Sequence, residues 1–151
     1  MRKVEQTQWA ATYLVAAELT RRGYRVGWPM GNAPVKDLLI ESPKGLRFEI
    51  DVKGGSYGQN VKSYFHLVQI DRVEGQSLQA LFFVFVRVDP DPLKTADFFV
   101  ISHHDLIELY KNLLLTSPSM TKKGERYKDF TPGFRPIDLS PHKGAWQILP
   151  E

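Results

Sequence analysis

Two short stretches decide how this chain is read: Phe48-Glu49-Ile50-Asp51-Val52-Lys53 and, upstream of it, Pro34-Val35-Lys36-Asp37. In an extended strand successive side chains point to opposite faces. Phe48, Ile50 and Val52 therefore face a core, while Glu49, Asp51 and Lys53 share the other face. Asp37 to Glu41 reads as a strand, Ser42-Pro43-Lys44-Gly45 as a turn, and Leu46 to Lys53 as the returning strand. Such a hairpin brings Asp37 close to Asp51 and Lys53, although thirteen residues separate the two aspartates.

The pattern extends outward on both sides. Residues 7–22 read as a helix, with Ala11, Leu14, Val15 and Leu19 at helical spacing and Gly23 as its stop. Tyr24-Arg25-Val26 follows as a short strand, and residues 28–34 form a loop punctuated by proline and glycine. Gly54-Gly55-Ser56-Tyr57-Gly58 reads as a flexible hinge, and Lys62 to Ile70 fits either strand or helix. Leu81 to Val88 is apolar on both faces, the mark of a buried strand, and Asp89-Pro90-Asp91-Pro92 ends it. Asp97 to Ile101 is a further strand. Ser102 caps a helix over 103–115, with Asp105 three residues on as in a capping box. Residues 116–141 read as irregular, with Trp146 to Leu149 docking back on the core. The fold class is α/β or α+β: a mixed central sheet flanked by helices.

The composition agrees with one globular domain over residues 1–151, its core spanning 7–115 and an irregular basic region 116–151. The 151 residues include no cysteine, which excludes a disulfide scaffold, a zinc ribbon, an iron–sulfur cluster and a thiol nucleophile. No apolar run approaches the ~20 residues of a membrane span, and the first residues lead into no secretory signal. The expected compartment is the cytoplasm. The net charge of +3 is unevenly spread: residues 1–30 carry +3, residues 31–110 carry −3 and residues 111–143 carry +4. An acidic middle between basic flanks suits a metal site held beside a polyanion.

Chemistry singles out the same hairpin. Two carboxylates offer hard oxygen ligands for Mg²⁺ or Mn²⁺, an ion that keeps several waters and takes phosphate oxygens. Asp37 and Asp51 are the expected metal ligands, with the Val52 carbonyl as a further one. Lys53 can orient or deprotonate water or neutralise charge on a phosphate. Glu49 assists from the same face. The alternative is a salt-bridged row on an exposed strand, but exposed ion pairs contribute only ~0–1 kcal/mol.

Pro34 and Asp37, followed by Asp51-Val52-Lys53, resemble the PD-(D/E)XK nuclease superfamily, whose fold is restriction-endonuclease-like. The preceding helix, ending Glu18-Leu19-Thr20-Arg21-Arg22-Gly23-Tyr24, the hairpin and the buried strand match the same pattern over roughly residues 8–115. The proline and aspartate are split here by two residues. The resemblance implies an αβββαβ core, Mg²⁺ or Mn²⁺, and hydrolysis of DNA, less often RNA, leaving a 5′-phosphate. It also implies that Asp37 and Asp51 bind metal and that Lys53 is the catalytic lysine. Relatives carry an acid early in the first helix, for which Glu5 and Glu18 are the available counterparts. Gln69 is the counterpart of a residue on the next helix. The expected activity is therefore a metal-dependent DNA endonuclease working as a homodimer or larger homo-oligomer, in restriction, repair, homing or mobile-element processing. The alternatives are a non-catalytic nucleic-acid-binding or scaffold domain, and an enzyme acting on a small nucleotide in a closed pocket.

Other features rank lower. Lys62, Lys122, Lys123, Arg126 and Lys128 are candidates for phosphate contact, with Tyr127 among them for base stacking. His103 and His104 point in different directions at a helix start and make a poor chelate. His66 suits packing or phosphate contact. No Ser/His/Asp spacing suggests a hydrolase triad, and the glycine run lacks the Lys-Ser/Thr of a phosphate-binding loop. Trp9, Trp28 and Trp146 read as core or interface residues rather than base-stackers.

Overall fold

The computed structural model describes residues 3–29, 37–56, 65–66, 81–116 and 133–151. Helix α1 spans Lys3–Arg21. The strands are β1 Arg25–Gly27, β2 Leu38–Glu41, β3 Arg47–Ser56, β4 Phe65–His66, β5 Leu81–Val88, β6 Asp97–Ser102 and β7 Gly133–Phe134. Helix α2 spans His103–Thr116, and short 3-10 turns cover Ser140–His142 and Trp146–Ile148. Among the described residues no helix is long and apolar enough to cross a membrane.

Five strands form one sheet in the order β1-β2-β3-β5-β6. The first three make an antiparallel meander, with Leu38 opposite Ile50 and Glu41 opposite Arg47. β3 and β5 run parallel, pairing Asp51 with Phe83 and Lys53 with Phe85, and β6 returns antiparallel to β5. β4 pairs with β7 in a separate two-stranded ribbon. This is the mixed, helix-flanked α+β sheet expected from the sequence. The helix that an αβββαβ core places between β3 and β5 falls on residues outside the description.

Each face of the sheet has its own core. Ala11, Val15 and Leu19 of α1 pack on Ile40, Phe48, Ile50, Val52, Phe82, Val84 and Val86. On the opposite face Leu81, Phe83, Phe85, Phe99 and Ile101 pack with Leu106, Phe134 and Leu139. Full burial of an aromatic such as Phe83 or Phe85 stabilises by roughly 1.5–3 kcal/mol, and β5 anchors both layers, with Phe83 and Phe85 in one and Phe82, Val84 and Val86 in the other. Trp146 and Leu149 do dock on the α1 layer, Trp146 beside Phe98 at 5.4 Å and beneath the Arg22 guanidinium at 5.1 Å.

Three local readings change. Helix α1 begins at Lys3 rather than residue 7, and Leu14 lies outside its buried stripe, 38% exposed. At about 100° per residue, Leu14 is a full 100° round from Val15, whereas Thr12 is only about 60° away and takes the buried place. Gly23 does end the helix. Its φ of +88° is the left-handed turn open to glycine, and Tyr24 N–H closes it on the Leu19 carbonyl at 3.1 Å. The Gly54-Gly55-Ser56 segment is no hinge: it continues β3 in register with Val86, Arg87 and Val88. Gly54 is there because α1 passes over it. A Cβ at that position would stand 2.9 Å from both Ala11 Cβ and the Thr7 carbonyl oxygen.

At the second helix the Ser102 hydroxyl accepts the Asp105 N–H at 3.1 Å. A hydrogen bond between the Ser102 and Asp105 side chains holds the Asp105 carboxyl below its ordinary range.

Candidate active site

The site forms where β2 starts too late to cover β3. β2 begins at Leu38, opposite Ile50. Asp37 N–H still reaches the Ile50 carbonyl at 3.2 Å. Beyond that point no strand among the described residues pairs with the outer edge of β3, and side chains bond it. Val52 N–H donates to Asp37 Oδ2 at 2.8 Å. Gln8 Nε2 donates to the Val52 carbonyl at 2.8 Å, and Gly54 N–H donates to Gln8 Oε1 at 2.9 Å. One aspartate and one glutamine thus satisfy three backbone groups that would otherwise be orphaned.

This edge fixes Asp51 and Lys53. Asp51 is 3% exposed, so the polar face of β3 is nearly closed at its centre, and access is through the partly exposed Asp37 and Lys53. Lys53 Nζ stands 2.5 Å from Asp51 Oδ1 as an ion pair. Burial pushes the Asp51 carboxyl up to about 6. The Lys53 ammonium pulls it down, and the neighbouring Asp37 carboxyl pushes it further up.

Two neighbouring carboxylates, one of them buried against a lysine ammonium, offer hard oxygens of the kind a divalent cation takes. Asp37 and Asp51 would hold it. No group of three acidic or histidine side chains suited to a metal occurs among the described residues. Two carboxylates, with water and phosphate oxygens completing the shell, match the habits of Mg²⁺.

The other expected site residues fall as follows. Glu49 is two residues before Asp51 on the same face, roughly 7 Å along the strand, opposite Leu39 and Leu81. The Val52 carbonyl already accepts Gln8, which leaves one lone pair. Glu5 lies one helical turn before Gln8 on the same side of α1. Glu18 is some 15 Å further along the helix, ion-paired with Arg22 at 2.7 Å and Arg21 at 3.7 Å, far from the carboxylates. Lys62, Gln69, Lys122, Lys123, Arg126 and Lys128 lie outside the described residues, and His66 is placed only as a strand residue pairing with Gly133. His104 is solvent-exposed, and His103 stacks on Phe83 at 6.4 Å.

Gln8 is the residue the sequence reading passed over. Its signal was a polar side chain at i−3 and i−7 from the buried Ala11 and Val15. A second surprise lies beside it. Trp146 is buried as expected, but Trp9 and Trp28 are 50% and 43% exposed. With Tyr13 they line an open cleft of about 510 Å³ that has Gln8 and Asp37 in its wall.

No protein-family model matches the chain, and no curated protein does. Among solved structures it is similar to that of a bacterial homing endonuclease, I-Ssp6803I, with a TM-score of 0.56 and 15% sequence identity. The match covers 98% of this chain and 91% of that one. The likeness is one of fold: the chain has the architecture of a known nuclease.

Proposed function

We propose that this protein is a divalent-metal-dependent endonuclease that hydrolyses phosphodiester bonds in DNA. The carrying observation is the Asp51 carboxylate: buried, ion-paired with Lys53 and next to the Asp37 carboxyl. The shared fold with a homing endonuclease supports DNA as the substrate, as do the basic flanks of the sequence.

Asp37 and Asp51 hold Mg²⁺ or Mn²⁺ in this reading. The ion supplies Lewis acidity toward the phosphate and lowers the pKa of water. Asp37 is positioned by Val52 N–H, so the metal-facing carboxylate is fixed by the backbone that also carries Asp51. Lys53, partly exposed, presents its ammonium at the mouth of the site, where it orients the attacking water and offsets charge gathering on the phosphate oxygens. Glu49 assists from further along the strand. Each chain carries one such site, so cleavage of both strands calls for two copies, and a homodimer or larger homo-oligomer is the proposed working form.

The test is nicking of supercoiled plasmid with Mg²⁺, with EDTA, and with the Asp51→Ala and Lys53→Ala proteins. Nicking that requires Mg²⁺ and is lost in both variants is the expected result. Equal behaviour of all three proteins, or cleavage unaffected by EDTA, overturns the proposal.

A further inference from the structure

The aromatic cleft on α1 has a composition and a position that the hydrolytic site alone does not explain. Trp9, Tyr13 and Trp28 are 50%, 59% and 43% exposed. Single exposed aromatics are ordinary, but a contiguous group marks a contact site. Trp9 and Tyr13 stand one helical turn apart and stack at 5.9 Å with 29° between planes. Trp28 meets Tyr13 at 5.4 Å and 58°, closing the cleft at an angle. Among the described residues the lining is three flat rings, Pro29 and two polar side chains beside Asp37.

We infer that this cleft is a stacking subsite for one unpaired nucleobase next to the scissile phosphate. Three observations point to a base. The walls are π faces, which stack any base, and the volume lies in the range of small-ligand pockets. The cleft shares Asp37 with the candidate metal site, so a base held there has its own phosphate next to the carboxylates. Finally, the amide and the threonine hydroxyl of the lining are engaged elsewhere. Gln8 gives both amide atoms to β3, and the Thr12 hydroxyl donates to the Gln8 carbonyl at 2.9 Å. The subsite therefore grips a base by stacking, without the Gln8 amide or the Thr12 hydroxyl reading its edge. A base inside a duplex is already stacked, so the substrate class is DNA with a flipped, frayed or single-stranded nucleotide at the cut. The placement of the phosphate rests on the nuclease reading; the stacking does not.

The experiment is run in EDTA with the full chain, so that nothing is cleaved. Tryptophan fluorescence and anisotropy are followed with labelled octathymidylate and with an abasic octamer of equal charge. Octathymidylate is expected to quench the tryptophans and to bind about tenfold more tightly than the abasic octamer. Tyr13→Ala, at a position too exposed to unfold the protein, should erase that tenfold preference and leave abasic binding unchanged. Equal binding of the two octamers, or a preference that survives Tyr13→Ala, overturns the inference. So does a dimer, seen by sedimentation equilibrium, that Tyr13→Ala dissociates, because the cleft would then belong to a second copy of the chain. A protein that shows the base preference but never nicks plasmid loses the nuclease reading and keeps the subsite. One that nicks but shows no preference loses only the subsite.

Discussion

Gln8 and Gly54 are held together twice over: Gly54 N–H donates to Gln8 Oε1 at 2.9 Å, and the missing Gly54 side chain is what lets the Gln8 turn of α1 lie against the strand. The first helix thereby acts as a substitute strand for the part of β3 that carries Asp51 and Lys53. The geometry of the carboxylates depends on a contact 46 residues distant in sequence.

Gln8→Ala removes the hydrogen bonds of Gln8 to the Val52 carbonyl and the Gly54 N–H and leaves both groups unpaired. An unsatisfied buried group costs about 1–3 kcal/mol, and the site is part-buried, so a loss of about 2 kcal/mol is expected. Amide exchange at Gly54 should accelerate sharply while exchange in the β5–β6 ladder stays slow. Gln8→Glu keeps the acceptor for Gly54 but turns a carboxylate oxygen toward the Val52 carbonyl. It should be less stable than wild type at pH 8 and recover toward pH 4 as the new carboxyl takes up a proton. Unchanged Gly54 exchange in Gln8→Ala would refute the clamp.

Gly54→Ala tests the same contact sterically. The added methyl would meet Ala11 Cβ and the Thr7 carbonyl at 2.9 Å, and one of these is rigid backbone. Overpacking of this kind costs about 1–3 kcal/mol. Helix α1 must move off β3, so nicking activity should fall together with the melting temperature. A wild-type melting curve for Gly54→Ala would show that the close approach is not maintained in solution.

The Asp51 carboxyl makes stability depend on pH in a definite direction. Its folded-state value, about 6, is raised above the ordinary 3.8 because burial disfavours the charge. Stability from this group is full below pH 3.8 and is lost as pH rises through 6. Asp51→Asn should therefore be more stable than wild type at pH 8, by about 3 kcal/mol at 1.36 kcal/mol per pH unit, and nearly equal to it at pH 4. Mg²⁺ should act oppositely, raising the melting temperature of wild type at pH 8 but not that of Asp51→Asn. Thermal melts at the two pH values, with and without Mg²⁺, check both signs.

The sequence made the hairpin legible because its signals are local. Alternation from Phe48 to Lys53 assigns each side chain to a face, and Ser42 to Gly45 supply the turn. β5 was equally plain, since Leu81 to Val88 has no polar residue before Arg87. What stayed hidden depends on contacts distant in the chain. Gly54 looked like a hinge because the crossing of α1 over β3 is not written near it. Gln8 drew no attention because its partners are backbone atoms, which carry no sequence signature. Leu14 looked like core because four apolar positions fit the helical period, and only packing shows that Thr12 holds the fourth place. Trp9 and Trp28 read as core or interface residues by type, and the exposure of Trp9 follows from its place on the side of α1 away from the buried Ala11, Val15 and Leu19.

Lys53 is the remaining lever on the site. Lys53→Met keeps the length and apolar stem of the side chain and removes its charge. The ammonium is the chief influence lowering the Asp51 ionisation, so the Asp51 carboxyl should titrate above 6 in the variant, which carbon-detected NMR of the labelled carboxyl would show. Removing one partner of a fully buried pair costs about 3–5 kcal/mol. Lys53 is 31% exposed, and water screens part of that loss, so about 1–2 kcal/mol is expected at pH 8. The loss should shrink below pH 6, where Asp51 is protonated and there is no charge left to compensate. Plasmid nicking should fall by about 10²- to 10⁴-fold, the contribution typical of a positioned proton-transfer group. Lys53→Arg restores the charge on a planar, more weakly hydrated head. It should return the Asp51 titration toward 6 while leaving most of the activity absent. If Lys53→Met titrated like wild type, the two side chains would not be paired in solution, and the assignment of Lys53 to the reacting phosphate would fall with that pairing.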